Sequence, residues 1–146
     1  MTLSCLAPPP VSQPDLHTHT ITILTLADAN RMLDAAQQEA ERQGWPVTIA
    51  IADRGGHLLA LRRLDGCAPI GAYVAIEKAR SAALGGKETQ VFEEMINAGR
   101  TAFLSVPEIE ATMTGGLPLL IDGEVAGAIG VSGVKPEQDA QAAKAA

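Results

Sequence analysis

Apolar residues recur at spacings of three and four through Leu26, Ala29, Leu33, Ala36 and Ala40, with Asn30, Asp34, Gln37, Gln38 and Glu41 between them. That period predicts an amphipathic helix packed by one face. Thr25 supplies an N-cap hydroxyl and Asp28, three residues on, a carboxylate for the first free backbone NH groups. Gly44 is a plausible stop, and Trp45-Pro46 leads into extended chain because a residue before proline avoids the α region.

The period then drops to two. Val47, Ile49 and Ile51 alternate with Thr48, Ala50 and Ala52, and a second run spans Leu58 to Leu64. Between them Asp53-Arg54-Gly55-Gly56-His57 reverses the chain, predicting an antiparallel hairpin. Asp65-Gly66 makes another turn and Pro69 opens a helix. Ala72, Ala75, Ala79 and Ala82 give that helix a nearly bare face, widened by Ile70, Tyr73, Val74 and Ile76. Gly85-Gly86 ends it. Lys87 to Ala98, carrying Val91, Phe92, Met95 and Ile96, reads as a shorter helical element with Gly99 as its C-cap. Phe103-Leu104 and a loop with Pro107 follow. Gly115 to Ile121 and Glu124 to Val131 flank Asp122-Gly123, a strong hairpin signal, and Pro118 places the first of these strands at an edge. Pro136 starts a last short helix with Ala140, Ala143 and Ala146 facing inward.

The amino-terminal stretch has two parts. Residues 1–16 contain Pro8, Pro9, Pro10 and Pro14 and read as a flexible arm, leaving 17–146 as one domain. From His17 to Ile23 histidines and isoleucines alternate with threonines, which predicts a short first strand. The order helix, hairpin, two helices, hairpin, helix favours an α+β fold: a mainly antiparallel sheet with packed helices rather than a parallel nucleotide-binding sheet.

Composition sharpens this picture. The 146 residues are 47% apolar but only 3% aromatic, so the core is built from Ala, Val, Ile and Leu, which permits close backbone approach. A formal net charge of -6 opposes nonspecific attachment to nucleic acid or anionic lipid. No apolar run approaches the roughly 20 residues of a membrane span, and the opening residues lack an export signal. Cys5 and Cys67 do not make a secreted disulfide pattern. A cytoplasmic protein is expected.

Residues 24 to about 138 resemble the GlcG/HbpS family, whose members include the C-terminal domain associated with PduO proteins. The resemblance is carried by Leu26-Ala27-Asp28-Ala29, by Val47 to Leu58 with its Asp-Arg-Gly-Gly-His turn, by Lys78-Ala79-Arg80-Ser81-Ala82, and by Gly115-Gly116-Leu117-Pro118 leading into Asp122 to Gly133. It implies a profilin-like α-β-α sandwich, compact homo-oligomers that are sometimes octamers, and haem binding or haem degradation in some branches.

His57, after two glycines at a strand entrance, is suited to iron ligation, proton transfer or carboxylate recognition, or to a turn hydrogen bond. His17 and His19 share one side of an extended segment and are further candidates for a haem or metal. Asp53 and Arg54 flank the turn, and Glu77, Lys78 and Arg80 lie on the alanine-rich helix, where Glu77 and Arg80 are spaced to pair. Gly115 and Gly116 resemble a ligand loop or a tight turn; neither a P-loop nor a dinucleotide fingerprint is present, and no serine has a nucleophile-elbow setting. Two functions follow: a haem-binding or small-ligand-binding accessory protein, or a small enzyme using His57 or Glu77 for proton transfer on a carboxylated or carbonyl-containing metabolite, with Arg54, Lys78 or Arg80 holding negative charge. A third reading makes the alanine face a subunit interface.

Overall fold

The computed structural model describes residues 14–146. Its elements are α1 (Leu26–Gln43), β1 (Thr48–Asp53), β2 (Leu58–Arg63), α2 (Pro69–Gly85), α3 (Thr89–Asn97), a 3-10 turn over Thr101–Ser105, β3 (Gly116–Ile121), β4 (Glu124–Ser132) and α4 (Pro136–Lys144). The sheet order is β2-β1-β4-β3 and every pairing is antiparallel. The fold is therefore the expected α+β arrangement. β3, with Pro118, is an edge strand, where the missing NH costs no central ladder bond.

Caps set the helix limits. Thr25 and Asp28 form a reciprocal capping box and Gly44 takes a left-handed φ of 74°. Ala29, Leu33, Ala36 and Ala40 are buried as the period requires, but Leu26 is 59% exposed, because the first residue of the helix points off its packed face. The strand expected over His17–Ile23 does not form; these residues are exposed and without regular structure. Alternation alone stabilises no strand without an edge to pair and a face to bury. The segment is anchored instead at buried Leu24, whose side chain fills the space left by Gly127. Most of the proline-rich arm, and Cys5 with it, falls outside the described residues. Cys67 is free and buried, beside the Thr48 hydroxyl.

Large and small residues alternate along the two central strands, and that alternation builds two unlike layers. Val47, Ile49, Ile51, Ile129 and Val131 pack with Leu33 and Ala36 of α1 and Ala142 and Ala143 of α4. The opposite face presents Ala50, Ala52, Ala128 and Gly130 to Ala75, Ala79, Ala82 and Ala83 of α2. Gly130 is in register with both Ala50 and Gly116, so α2 lies over a strip with almost no side chains. The alanine face is thus covered by the chain's own sheet, which corrects its reading as a subunit interface. Ile70 and Tyr73, expected to widen that face, point outward at 66% and 72% exposure.

Glu39 ties α1 to α4, accepting hydrogen bonds from Arg42, Gln141 and Gln43 that hold its carboxyl far below the ordinary 4.5, at about 2. A carboxylate with a lowered folded pKa contributes stability above the unfolded value and loses it as pH falls through the folded one. The stability difference between wild type and Glu39→Gln is expected to be constant above pH 4.5 and to vanish as pH approaches about 2, as read by urea denaturation at each pH.

Candidate functional site

The β1–β2 turn is organised by one carboxylate. Asp53 Oδ1 accepts hydrogen bonds from the backbone NH of Gly55 at 2.8 Å and of His57 at 3.0 Å, and both its oxygens lie 3.1 Å from His57 Nδ1. Partial burial pushes the Asp53 pKa up, but the hydrogen bonds from His57 and Gly55 outweigh it and leave the carboxyl below its usual value. A Cβ at Gly55 would stand 2.8 Å from the His57 ring, so glycine there makes room for the imidazole to fold back over the turn. Gly56 supplies the positive φ of 78°. The ring itself is 81% exposed. A carboxylate on Nδ1 favours the proton on that nitrogen and leaves the Nε2 lone pair facing outward.

The turn is locked to α2. Arg80 Nε donates to the Gly56 carbonyl at 3.4 Å, and the Arg80 and Leu84 side chains pack where a Gly56 Cβ would stand. Tyr73, Glu77, Arg80 and Leu84 succeed one another at helical spacing, forming a stripe of about 16 Å along the outer face of α2. Arg80 pairs with Glu77 at 3.1 Å, as its spacing predicts, and more loosely with Glu108 at 3.7 Å. At the other end of the stripe a groove of about 220 Å³ runs between Tyr73, Val74 and Glu77 on one side and Glu110, Ala111 and Met113 on the other. Asp53, His57, Glu77 and Arg80 thus belong to one continuous surface. Arg54 is exposed on the same turn, beside Leu84, Gly86 and Glu124.

The remaining candidates lie elsewhere. Lys78 is turned inward: its ammonium is 2.9 Å from Asp139 and 3.0 Å from the Val131 carbonyl, with both side chains 3% exposed, so it presents no charge to a ligand. Gly115 and Gly116 are buried against Lys78. A Cβ at Gly115 would meet its ammonium at 2.8 Å and one at Gly116 its carbonyl at 2.4 Å, so their task is close packing rather than a ligand loop. His17 and His19 are exposed in the irregular segment before α1. Among the described residues no three His, Cys, Asp or Glu side chains converge on one metal position, and no helix is long and apolar enough to cross a membrane.

Sequence reasoning missed the residues that hold the groove's far wall. The Thr89 hydroxyl donates to the Met113 carbonyl at 2.6 Å and accepts from Gly116 N at 2.9 Å, and Glu93 accepts from Thr114 N at 2.7 Å. Phe92 of α3 stacks on Phe103 of the 3-10 turn with centroids 5.0 Å apart. These contacts join residues distant in the chain and leave no periodic mark.

Comparison with known proteins gives a consistent result. The chain is 54% identical over 113 residues to protein GlcG of Escherichia coli strain K12, covering 77% of this chain and 84% of that one. Its fold matches a crystal structure of a Streptomyces reticuli HbpS double mutant with a TM-score of 0.83 and 30% identity, covering 95% of this chain and 94% of the other. It also matches a PduOC:heme complex with a TM-score of 0.76 and 25% identity, covering 85% and 92%. A family model described as haem-degrading protein HbpS-like matches residues 24–146. With fold, motif order and relatives in agreement, the chain belongs to the HbpS-like family.

Proposed function

We propose that this protein is a haem-binding or small-ligand-binding accessory protein that takes its ligand on the outer face of α2 and the adjoining β1–β2 turn. The observation that carries the reading is the exposed His57 imidazole, oriented through Nδ1 by Asp53 with Nε2 free. A carboxylate behind the ring orients it and leaves the other nitrogen to face outward, as behind metal-bound histidines. The similarity to a PduOC:heme complex adds support. The residues present fit haem: Nε2 of His57 would hold the iron, exposed Leu58 and Leu84 would contact the macrocycle, and Arg54 and Arg80 would meet its propionates. Bound there, the iron would supply ligand-binding or redox chemistry.

The His57 ring is 81% exposed and Leu58 and Leu84 are nearly half exposed, so one subunit leaves a macrocycle there open to water and a second subunit is needed to enclose it. A homo-oligomer such as an octamer meets that need, and exposed Ile70 and Tyr73 are the apolar residues it would cover.

The test is a haem titration read by the Soret band, with native mass spectrometry for haem and subunit stoichiometry. Wild type is expected to bind a discrete number of haems per oligomer, His57→Ala to bind at least about tenfold more weakly, and a His17→Ala, His19→Ala double variant to bind like wild type. Loss of binding only in the double variant would move the ligand to the amino-terminal segment.

The same pair supports a second reading. An oriented imidazole is also a proton-transfer group, so the chain could act on a carboxylated or carbonyl-containing metabolite with His57 as base; Glu77, paired to Arg80, is the weaker candidate. Turnover abolished in His57→Ala would favour the enzyme.

A further inference from the structure

We propose that Glu108 is an internal placeholder for a ligand carboxylate, so that Arg80, joined to the α2 groove through its pair with Glu77, selects ligands with an apolar body and a carboxylate head. The inference rests on the reading of this face as a ligand site and names the class of molecule it takes.

Three features lead to it. Arg80 is held by Glu77 at 3.1 Å and by the Gly56 carbonyl at 3.4 Å, and its side chain is about one-third exposed. The third partner, Glu108, is unlike the other two: it is 70% exposed, reaches Arg80 only at 3.7 Å, and sits on a backbone with φ of +62°, a region that residues with side chains seldom occupy. A weak, solvent-washed contact on an unfavourable backbone is readily given up. Third, the segment that carries Glu108 continues into Glu110, Ala111 and Met113, the far wall of the apolar groove. The placeholder and the groove wall therefore belong to one stretch of chain.

A ligand carboxylate that displaces Glu108 takes over its place at Arg80, and the displaced side chain, already 70% exposed, turns its charge into solvent. A neutral ligand would lose Arg80 as an anchor. Glu110, exposed on the opposite wall, repels a carboxylate from mid-groove and so confines the head to the Arg80 end, with the apolar body against Tyr73, Val74 and Met113. Arginine suits the role because its planar fork accepts a carboxylate in two parallel hydrogen bonds, which a distant Glu108 does not make.

The experiment uses benzoate and the isosteric, uncharged benzamide as probes of the full chain, followed by two-dimensional NMR of the Arg80 Nε–H and the backbone amides of residues 108–114. Benzoate is expected to give saturable shifts at both places and benzamide to bind more weakly. Glu108→Gln, a change at an exposed side chain, should tighten benzoate about three- to fivefold, the size of one exposed ion pair, without helping benzamide. Arg80→Met should remove the preference for benzoate. The proposal is overturned if benzoate shifts do not saturate, if benzamide binds as well, or if Glu108→Gln leaves benzoate affinity unchanged. Haem titration of the same proteins separates the two ideas: haem binding intact with Glu108→Gln silent toward benzoate overturns the placeholder alone, whereas no haem binding with the expected benzoate behaviour overturns haem alone.

Discussion

Gly130→Ala is expected to destabilise the protein by about 3 kcal/mol or more, at the upper end of overpacking effects. A Cβ there would lie 2.1 Å from the Ala75 carbonyl oxygen and 2.5 Å from the Ala79 nitrogen. Both are backbone atoms inside α2, so no side chain can rotate away; the whole helix must lift. Lifting it would open the contacts of Ala75 and Ala79 with Ala50 and Ala52. Gly123→Ala is the control. Its φ of 79° disfavours a side chain, unlike the strand conformation of Gly130, but nothing lies within 4 Å of the added carbon, so the cost should stay near the 1–2 kcal/mol of backbone conformation alone. Urea denaturation of both variants measures the difference. Equal effects would mean that α2 does not ride on the sheet backbone as described.

The second large effect is expected at the buried ion pair. Lys78 reaches through the space kept open by Gly115 to Asp139 at the start of α4, which also accepts from Val134 N at 3.2 Å. Burial pushes the Asp139 carboxyl up in pKa, with the Lys78 ammonium and the backbone NH groups of Val134 and Gly133 pulling it partly back. Lys78→Met leaves that carboxylate without its counter-charge and should cost about 3–5 kcal/mol; Asp139→Leu leaves the ammonium stranded and should cost a similar amount. Because each single change includes the penalty of an orphaned charge, the double variant should be much less destabilised than the sum. A double-mutant cycle measures the coupling. Additive losses would show that the two groups do not act as a pair.

What was legible in the sequence follows from how local each signal is. The capping box at Thr25, the glycine stop at Gly44, both hairpins and the proline starts at Pro69 and Pro136 depend on a few adjacent residues, and all appear where expected. The Glu77–Arg80 pair was legible for the same reason, since helix geometry sets its distance. Lys78 was not: its neighbours reveal a helix but not that residue 139 waits sixty-one positions on. Periodicity over His17–Ile23 promised a strand because sequence records propensity, not whether an edge is available. Gly115 and Gly116 looked like a ligand loop for a related reason. Glycine marks a place where something comes close, and only the fold reveals that the visitor is Lys78 of α2.

The strand order also bears on how the chain folds. Each hairpin is a local event, closed by a turn of a few residues and within reach of rapid formation. In the sheet, the β1–β4 ladder alone joins the first hairpin to the second, pairing Thr48–Asp53 with Gly127–Ser132 across some eighty intervening residues. That seam carries most of the loop-closure entropy, and it forms where the bare glycine strip must receive α2. The zipping of the two halves along the centre of the sheet is therefore expected to be the slow step in reaching the native state, and interruptions there should retard folding more than changes at either outer strand.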